Sequence, residues 1–285
     1  MKKILVTGAT GFVGNYVIQE LLKGNFQVIA SSSNEEKARQ MKWFPNVTYL
    51  PWDLGTPAGI KNLYEYFQQP DSVIHLSWEG LPNYKSPVHL EVNLPRQTAF
   101  LKSLIEAGAR DITVIGTCFE YGMTEGCLYE SMPAQPANSY AQAKDRLRQY
   151  LQNLQNQTAF ELKWIRLFYM FGAGQNPNSL FSQLDKALAI GAKEFNMSGG
   201  EQLRDYLPIE KVAECIVKIA LQHKVTGIIN CCSGHPVSIK EIVNSYLKAK
   251  KASIKLNLGY YPYPDYEPMA FWGSNSKLKT ILNDE

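Results

Sequence analysis

The chain has 285 residues, a formal net charge of +3 and 45% hydrophobic residues, as in an ordinary globular protein. That length suffices for one large α/β domain, or for a large domain that carries a smaller lobe. The small net charge predicts no basic surface for nucleic acid. No stretch approaches the ~18 apolar residues of a membrane span, and the apolar run at residues 4–6 is too short for a signal peptide.

The cysteines and histidines show no metal or disulfide pattern. Five cysteines lack a CxxC pair, and an odd number does not suit a disulfide framework. Reduced thiols are typical of cytosolic proteins, so we expect a cytoplasmic location. The four histidines lack HExxH or HxxxH spacing, and we predict no metal site.

Apolar, β-branched runs of strand length alternate with amphipathic segments of helix length over the first 170 residues. The predicted strands are residues 4–6, 27–30, 47–50, 72–76, 112–115 and 162–167. Continuous apolar strands separated by helices are typical of a parallel sheet covered on both faces. The pattern predicts the α/β class, with a doubly wound (Rossmann) parallel sheet in residues 1–170.

The pattern changes after residue 171. A Gly/Asn/Pro loop precedes predicted helices at 180–190 and 209–222, a strand at 227–231 and a helix from Ser238. Residues 171–285 are too few for a second large domain, so we predict a smaller α/β substrate lobe, with some exchange of chain between the two parts. The tail YYPYPDYEPMAFWGSN fits either a surface loop of stacked aromatic rings or the lining of a substrate pocket.

The first predicted strand runs into TGATGFVG and then into a periodic helix over 13–23. Gly8 permits a tight turn, Gly11 lets a pyrophosphate approach the backbone, and Gly14 allows close packing of helix on strand. Because the amino end of the helix would face the phosphates, this segment predicts a dinucleotide cradle rather than a plain glycine-rich turn. Three further residues of the cradle are Thr10, Phe12 and Val13.

The second predicted strand ends in a serine-rich segment, where an NAD enzyme usually places an acid for the ribose 2′-hydroxyl. Ser32 and Ser33 stand there instead, and Lys37 and Arg39 follow. This favours a 2′-phosphate and hence NADP, with NAD as the alternative. In the other interpretation, Lys37 and Arg39 only solvate an exposed helix face.

Asp53 and Leu54 follow the third predicted strand. The Asp53 carboxylate is placed to meet the adenine edge of a dinucleotide. It could also cap a helix before Thr56-Pro57, and the two roles are compatible.

Tyr140 and Lys144 form a YxxxK pair, one turn apart on a predicted helix over 140–154, so both side chains lie on one face. Tyr246 and Lys250 match the same motif, and there a solvated helix face is the better interpretation. Only Tyr140 follows the fifth strand, whose end carries Thr117, where open α/β sheets present reactive groups.

These side chains suit hydride-transfer chemistry. A lysine ammonium near a phenol stabilises the phenolate and lowers the pKa of the phenol. Tyr140 would then donate and accept a proton near neutral pH, with Lys144 as its partner. The Thr117 hydroxyl would hydrogen-bond the same carbonyl oxygen and hold it in line for hydride.

Five segments together resemble the extended short-chain dehydrogenase/reductases, also called the NAD-dependent epimerase/dehydratase family, that act on nucleotide-linked sugars. They are TGATGFVG, GTCFEYG at 116–122, YAQAK at 140–144, RLFYMFGAG at 166–174 and RDYLPIEKVAE at 204–214. The resemblance spans nearly the whole chain in the right order. It implies a cofactor-binding domain, a sugar-nucleotide lobe, and a homodimer formed through the helices around 87–107 and 140–154.

Carried over residue by residue, the resemblance implies further ligand contacts. The additional cofactor contacts are Leu76, Ser77, Trp78, Asn93, Phe168 and Met170. For the substrate, the resemblance carries over Arg204. The other candidate substrate contacts, named for the expected pocket and not from a motif, are Glu79, Asn83, Cys118, Phe119, Tyr169, Asn178, Ser179, Leu180 and Tyr206. Arg204 would hold the diphosphate, because a guanidinium fork suits phosphate oxygens. Tyr169 stands where many relatives carry a substrate-binding Asn, and the apolar and aromatic members fit simple packing equally well.

The residues after Thr117 restrict the reaction. Dehydratases of this family place an Asp-Glu pair there, and Cys118-Phe119 lack that acid and base. GDP-fucose-synthase-like enzymes epimerise with a Cys and a His. Cys118 lies one place too early for that cysteine, and no histidine lies between His89 and His223. What remains is oxidation or reduction at C4, once in a ketoreductase or twice in a 4-epimerase.

The serine-rich strand end favours net reduction, since 4-epimerases usually retain NAD with an acid there. The segments HLSWEGLPNY and YEPMAFWGSNSKL also resemble the branch of CDP-abequose synthase and dTDP-6-deoxysugar 4-reductases. We therefore predict NADPH-dependent reduction of a 4-keto-6-deoxyhexose linked to CDP, dTDP or GDP, in deoxysugar and lipopolysaccharide biosynthesis. One alternative is a 4-epimerase. The other is a non-catalytic NADP(H)-sensing regulator, which the joint presence of Thr117, Tyr140 and Lys144 disfavours.

Overall fold

The computed structural model describes residues 1–55 and 62–283. In this part of the chain the strands are β1 (Lys2–Thr7), β2 (Phe26–Ser31), β3 (Thr48–Tyr49), β4 (Ser72–His75), β5 (Asp111–Thr117), β6 (Gly126–Leu128), β7 (Glu161–Leu167), β8 (Tyr169–Phe171), β9 (Glu194–Asn196), β10 (Leu203–Arg204), β11 (Tyr206–Pro208), β12 (Gly227–Cys231), β13 (Val237–Ser238), β14 (Lys255–Asn257) and β15 (Phe271–Gly273). The α-helices are α1 (Phe12–Leu21), α2 (Glu35–Arg39), α3 (Leu63–Tyr66), α4 (Leu94–Glu106), α5 (Ser139–Leu154), α6 (Leu180–Ala189), α7 (Ile209–Leu221), α8 (Ile239–Ala249) and α9 (Ser276–Leu282).

Seven strands form one sheet in the order β12-β7-β5-β4-β1-β2-β3. All of its neighbouring strands run parallel. The chain moves outward from β1 to β3 and then returns to β4 on the other side of β1, so the sheet is doubly wound, as predicted from the sequence. Open α/β sheets of this kind bind ligands outside the carboxyl ends of the strands, at the point where the strand order reverses.

Both faces of the sheet are buried, because successive strand residues point to opposite sides. Ile4 and Val6 face α1 and α7, whereas Leu5 faces α4 and α5. All seven residues of β5 are buried, as expected of a central parallel strand. Among the described residues, no helix is both long and apolar enough to cross a membrane.

The strand at 227–231, which the sequence assigned to the smaller lobe, is β12 at the edge of the main sheet. It pairs with β7, with Ile229 beside Ile165, and α7 before it packs on α1. Its buried apolar residues suit a parallel strand covered on both faces. The division at residue 170 remains a prediction, and β12 and α7 are the elements that cross it.

A separate small core lies in the carboxyl-terminal part of the chain. Leu184 of α6, Phe195 of β9 and Val243 of α8 are buried against one another. In the amino-terminal part, α4 and α5 pack side by side. These are the helices that the sequence assigned to a homodimer, which remains a prediction.

Candidate active site at the carboxyl ends of the strands

The loop between β1 and α1 is a tight turn that only glycine fits. Gly8 has a φ of +68°, a conformation that L side chains rarely adopt. A Cβ on Gly8 would lie 2.8 Å from the Ser77 backbone nitrogen, and one on Gly14 would lie 2.3 Å from the Gly8 carbonyl oxygen. Gly11, at the amino end of α1, is exposed. The loop therefore brings the start of α1 close to β1 and leaves its amino end open.

This amino end fits a phosphate group. The first N–H groups of a helix have no partner within it, and they carry the positive end of the helix dipole. Thr10, Phe12 and Val13 are half-buried around that end. Their backbone N–H groups are donors of the kind a pyrophosphate needs. The residues present thus suit the dinucleotide that the sequence implies.

The serine-rich end of β2 is partly engaged by protein groups. The Ser32 hydroxyl is buried and lies 3.0 Å from a neighbouring tyrosine hydroxyl, whereas Ser33 and Lys37 are exposed. Arg39 pairs with Glu35 one helical turn earlier, with 2.5 Å between Nη2 and Oε1. Ser33 and Lys37 therefore face solvent, while Arg39 already has a carboxylate partner.

Asp53 closes a turn of its own. Its Oδ1 accepts a hydrogen bond from the Gly55 N–H at 2.7 Å, and the residue is exposed. Leu54 packs on the core beneath α4 and α5. The alternative role, capping a helix before Thr56-Pro57, falls on residues outside the described part of the chain.

Thr117 ends β5 and begins a short 3-10 helix at Cys118–Tyr121. Its hydroxyl accepts from the Phe119 N–H at 3.3 Å, and the Glu120 carboxylate accepts from the Thr117 N–H at 2.9 Å. This reciprocal pair is a capping box. Glu120 is fully buried beside Arg166 Nε at 2.7 Å. The capping box fixes the backbone that carries the Thr117 hydroxyl.

Tyr140 lies in the first turn of α5 and is 7% exposed. Its ring packs against the rings of Tyr84, Trp78 and His89, with centroid distances of 5.7, 5.8 and 5.4 Å. Burial raises the pKa of the Tyr140 phenol well above its ordinary value of 10, and a hydrogen bond with Thr117 acts in the opposite direction. The phenol is therefore protonated at neutral pH and is a proton donor.

Lys144 lies one turn further along α5 and is also buried. Its Nζ donates to the Ile115 carbonyl oxygen at 2.7 Å and lies 4.0 Å from the centroid of the Trp78 ring. Burial lowers its pKa from 10.5 to about 7, against an opposing effect of Glu120. The expectation that Lys144 depresses the Tyr140 pKa is wrong for this structure, because burial dominates the pKa of the phenol.

Buried polar side chains support the segment after β4. His75 Nδ1 lies 2.8 Å from the Thr7 hydroxyl, and its Nε2 lies 2.5 Å from Gln97 Oε1. Gln97 in turn donates to the Ser77 carbonyl oxygen at 2.9 Å. Burial lowers the His75 pKa to about 3, so this network stays neutral and holds Ser77 against the glycine cradle.

A cavity of about 640 Å³ lies between the smaller core and the tail. Leu180 and Phe195 line one side, and residues 261–266 line the other. Tyr266 packs its ring on Tyr84 at 5.9 Å, and Tyr84 packs on Tyr140 at 5.7 Å. The aromatic tail therefore lines a cavity, and its Tyr266 ring is linked through Tyr84 to the Tyr140 ring.

Arg204, the predicted diphosphate ligand, is 2% exposed and engaged by protein groups. Its Nη1 donates to the carbonyl oxygens of Leu203 and Met269 at 2.8 and 3.1 Å, and its Nε lies 3.3 Å from Glu267 Oε2. The Tyr169 hydroxyl donates to the same Glu267 carboxylate. A diphosphate at Arg204 would thus have to replace Glu267 as its anion.

Most of the remaining predicted site residues fall into three groups, and Tyr206 and Asn93 stand apart from these. Packed in one buried cluster with Tyr140 are Trp78, Cys118, Phe119, Phe168 and Tyr169. Exposed or half-buried on loops around it are Glu79, Asn83, Asn178 and Ser179. Packed against the main core are Leu76 and Met170. Tyr206 packs on the Tyr169 ring at 5.2 Å, and the Asn93 amide donates to the Glu79 carbonyl oxygen at 2.9 Å.

Several site residues had no place in the sequence prediction. They are Tyr84, His89, Glu120, Tyr266 and Glu267. The spacing from Thr117 to Glu120 is that of a capping box, and this signal was available in the sequence. Tyr84, Tyr266 and Glu267 lie within HLSWEGLPNY and YEPMAFWGSNSKL, but nothing in those segments distinguishes them from their neighbours, and His89 belongs to no quoted motif.

Asp111, Glu161 and His223 come together at the opposite edge of the sheet, with candidate ligand atoms within 4.8 Å of one another. The Lys163 ammonium lies 2.7 Å from Asp111 Oδ1, and the Lys2 ammonium lies 3.6 Å from Oδ2. Because both Asp111 oxygens already face a cation, this cluster favours ion pairing over metal ligation. The prediction that the chain binds no metal stays a prediction.

Comparisons with known proteins identify the family. Residues 4–232 match the NAD dependent epimerase/dehydratase family. The chain is 31% identical over 272 residues to a dTDP-6-deoxy-L-talose 4-dehydrogenase (NAD(+)) from Aggregatibacter actinomycetemcomitans, covering 95% of this chain and 99% of the relative. It is 24% identical over 294 residues to a GDP-6-deoxy-D-talose 4-dehydrogenase from the same organism, covering 99% and 92%.

The fold has solved counterparts. A UDP-glucose-4-epimerase from Stenotrophomonas maltophila, with bound NAD and formylated UDP-arabinopyranose, has a TM-score of 0.86 at 18% identity, covering 99% of this chain and 93% of that one. At that identity the likeness concerns the fold alone. The family match covers most of the chain, and the dTDP-sugar dehydrogenase exceeds 30% identity over nearly its full length. The chain therefore belongs to the NAD-dependent epimerase/dehydratase family of enzymes.

Proposed function

We propose that this chain uses NAD(P)H to reduce the C4 keto group of a nucleotide-linked 4-keto-6-deoxyhexose. One observation carries the proposal: Tyr140 and Lys144 of α5 both pack on the Trp78 ring, and Lys144 bonds to the Ile115 carbonyl oxygen of β5, two residues before Thr117 at the carboxyl end of that strand. Hydride transfer needs a dinucleotide, an acid and a sugar site at one place. Tyr140 is the candidate acid, the glycine cradle is the candidate dinucleotide site, and the cavity that Tyr266 lines is the candidate sugar site.

The two talose dehydrogenases support the substrate class. Their names place the chemistry at C4 of 6-deoxyhexoses linked to dTDP and to GDP. Oxidation of a C4 hydroxyl and reduction of a C4 ketone are one reaction in opposite directions, with the same groups acting in both. We therefore infer a 4-keto-6-deoxyhexose linked to dTDP or GDP, with CDP as the third candidate.

The proposed mechanism assigns one task to each side chain. The amino end of α1 holds the pyrophosphate of the dinucleotide, and the bound NAD(P)H supplies the hydride. The Thr117 hydroxyl donates to the C4 carbonyl oxygen and orients it. Tyr140 donates its proton to that oxygen as negative charge develops. The Lys144 ammonium then stabilises the phenolate, and a pKa of about 7 lets it exchange protons at neutral pH.

The protonated form of Tyr140 is the form that the proposed reduction uses. Reduction requires a neutral phenol as acid, whereas oxidation requires a phenolate as base. Burial raises the Tyr140 pKa well above its ordinary value, so the acid form is present at neutral pH. The same groups serve the reaction in either direction, so this pKa does not by itself choose reduction.

We infer NADPH as the preferred cofactor, with NADH as the alternative. Ser33 and Lys37 are exposed just after β2, the strand whose end contacts the ribose in dinucleotide-binding folds, and Glu35 is paired with Arg39. The dTDP-sugar relative is named for NAD(+). Both cofactors therefore belong in the assay.

The test mixes purified protein with NADPH or NADH and with 4-keto-6-deoxyhexoses linked to dTDP, GDP or CDP, and follows the absorbance of the reduced cofactor. We expect one of the sugar nucleotides to oxidise the reduced cofactor. Tyr140→Phe should lose this activity and still bind the cofactor. Interconversion of 4-hydroxy epimers without net oxidation would instead indicate a 4-epimerase, whose fold the chain shares. Cofactor binding without either activity would indicate a regulator.

A further inference from the structure

His89 lies at the centre of the proposed site, although no motif contains it. Its side chain is fully buried, with its ring 5.4 Å from that of Tyr140. Its Nε2 lies 2.8 Å from the Asn83 carbonyl oxygen. Its Nδ1 lies 3.1 Å from Trp78 Nε1 and 3.3 Å from Asn93 Nδ2.

These partners fix the protonation of His89. The Asn83 carbonyl oxygen can only accept a hydrogen bond, so the His89 Nε2 is protonated and donates to it. The indole N–H of Trp78 and the amide N–H of Asn93 can only donate, so Nδ1 is unprotonated. Burial also lowers the His89 pKa. The ring is therefore neutral, and its acceptor nitrogen holds the indole in one orientation.

The Trp78 indole is the surface against which Lys144 lies. The Lys144 Nζ is 4.0 Å from the centroid of the indole ring, and it also donates a hydrogen bond to the Ile115 carbonyl oxygen at 2.7 Å. A ring face attracts an ammonium electrostatically. The orientation of Trp78 therefore affects both the place of Lys144 and the stability of its charged form.

The backbone that carries His89 has an uncommon form. Residues His89–Asn93 make one π-helical turn before α4, in which the Leu94 N–H donates to the His89 carbonyl oxygen. Such turns occur frequently at functional sites. Both ends of this turn reach the segment after β4: His89 holds Trp78, and Asn93 donates to the Glu79 carbonyl oxygen.

We propose that His89 is a positioning residue of the hydride-transfer site that acts through Trp78. Its neutral imidazole holds the indole against the Lys144 ammonium and so fixes Lys144 one turn from Tyr140. This role rests on the proposed function, because it serves Lys144 and Tyr140. It also has a consequence in the protein alone, since a misplaced indole changes the ionisation of Lys144.

Two substitutions separate the two nitrogens of the His89 ring. His89→Asn places an oxygen near the position of Nδ1 and keeps an acceptor for Trp78. His89→Gln places an amide nitrogen near the position of Nε2, so it keeps a donor for Asn83 and loses the acceptor. Both variants are polar and remove the aromatic ring. A general loss of packing should therefore affect them alike.

The main readout is the pH midpoint of the Lys144 Nζ, followed by NMR with isotope-labelled lysine and identified by its loss in Lys144→Met. The titratable groups that face Lys144 are Glu120, His75, His89 and Tyr140. The His75 pKa is about 3, and that of Tyr140 is raised above 10. Neither of these two groups titrates near the Lys144 midpoint.

In His89→Gln we expect the Lys144 midpoint to fall by at least about half a pH unit, because the ring face no longer stabilises the ammonium. His89→Asn should stay close to the wild type. In the Trp78→Phe background, which has no indole N–H, His89→Gln should have no further effect. Such non-additivity identifies a residue that acts through its neighbour. With an active sugar nucleotide, kcat should fall about tenfold in His89→Gln with little change in KM.

The positioning role would be overturned if His89→Asn and His89→Gln had equal Lys144 midpoints. It would also be overturned if His89→Gln still shifted the Lys144 midpoint in the Trp78→Phe background. The midpoint is measured without sugar or cofactor, so a lack of reductase activity would refute the proposed function and leave this result readable. Unfolding temperatures report whether each variant folds. If His89→Gln does not fold, Trp78→Phe alone must lower the Lys144 midpoint, and an unchanged midpoint would overturn the proposal.

Discussion

Lys144→Met is expected to abolish turnover and to stabilise the folded protein at neutral pH. The Lys144 ammonium is buried, which lowers its pKa from 10.5 to about 7. Holding the charged form in the folded state therefore costs free energy that an uncharged side chain of similar length avoids. The proposed hydride transfer uses this ammonium, which would account for a buried charge at this position.

The magnitude follows from the two pKa values. The Lys144 pKa is about 3.5 lower in the folded than in the unfolded chain. At about 1.4 kcal/mol for each pKa unit, this difference lowers the free energy of unfolding by about 5 kcal/mol at low pH. The unfolded chain binds the proton more tightly between about pH 7 and pH 10.5, so stability rises with pH there. Between pH 7 and pH 10 the wild type should gain about 3 kcal/mol relative to Lys144→Met. At pH 7 the variant should be about 1–3 kcal/mol more stable, after allowance for the unpaired Ile115 carbonyl oxygen.

The assay is urea unfolding of both proteins at pH 7, 8.5 and 10. Lys250→Met is the matched control, because Lys250 belongs to the second YxxxK pair but is partly exposed and lies 2.7 Å from Asp185. That carboxylate raises the Lys250 pKa, so any trend in the control should have the opposite sign. A difference between wild type and Lys144→Met that stays flat from pH 7 to pH 10 would refute the buried-ammonium argument.

Four other changes test the glycine cradle and the ligand sites. Gly14→Ala, with a Cβ 2.3 Å from the Gly8 carbonyl oxygen, should cost about 1–3 kcal/mol in urea unfolding. Gly11→Ala, where the Cβ lies 3.1 Å from that oxygen, should instead weaken cofactor binding in a fluorescence titration while stability changes little. Lys37→Ala should raise KM for NADPH about tenfold but not for NADH, and equal effects would reject the 2′-phosphate contact. Glu267→Gln should tighten binding of dTDP or GDP in calorimetry, because the carboxylate no longer competes for the guanidinium, and unchanged affinity would place the diphosphate elsewhere.

The sheet could be predicted because its strands are continuous apolar runs that need no partner to be recognised. The predicted strand at 72–76 is β4 at Ser72–His75, and the predicted strand at 227–231 coincides with β12. The place of β12 in the main sheet could not be predicted in the same way. Pairing of β12 with β7 joins residues more than 60 positions apart, and local patterns carry no information on such pairs.

The positions of the proposed catalytic side chains could be predicted from their spacing in the sequence. Tyr140 and Lys144 share a helix face because they lie one turn apart, and Thr117 follows from the end of β5. Glu267 could not be found in this way, since only the fold of the tail brings its carboxylate to Arg204. The predicted contact of Arg204 with a diphosphate came from the family resemblance and from the shape of the guanidinium, and neither could reveal that competing anion.

The effect of Lys144 on Tyr140 shows why a motif can identify the acid and still misjudge its pKa. Spacing predicts that an ammonium lies near a phenol, and in water that neighbour would lower the phenol pKa. In the folded chain both groups are buried, and burial disfavours the charged form of each, so the Tyr140 pKa rises while that of Lys144 falls to about 7. The same burial leaves a neutral acid beside a lysine that can gain or lose a proton near neutral pH. The proposed reduction needs a proton donor of this kind, and the sequence could predict the two side chains but not their charge.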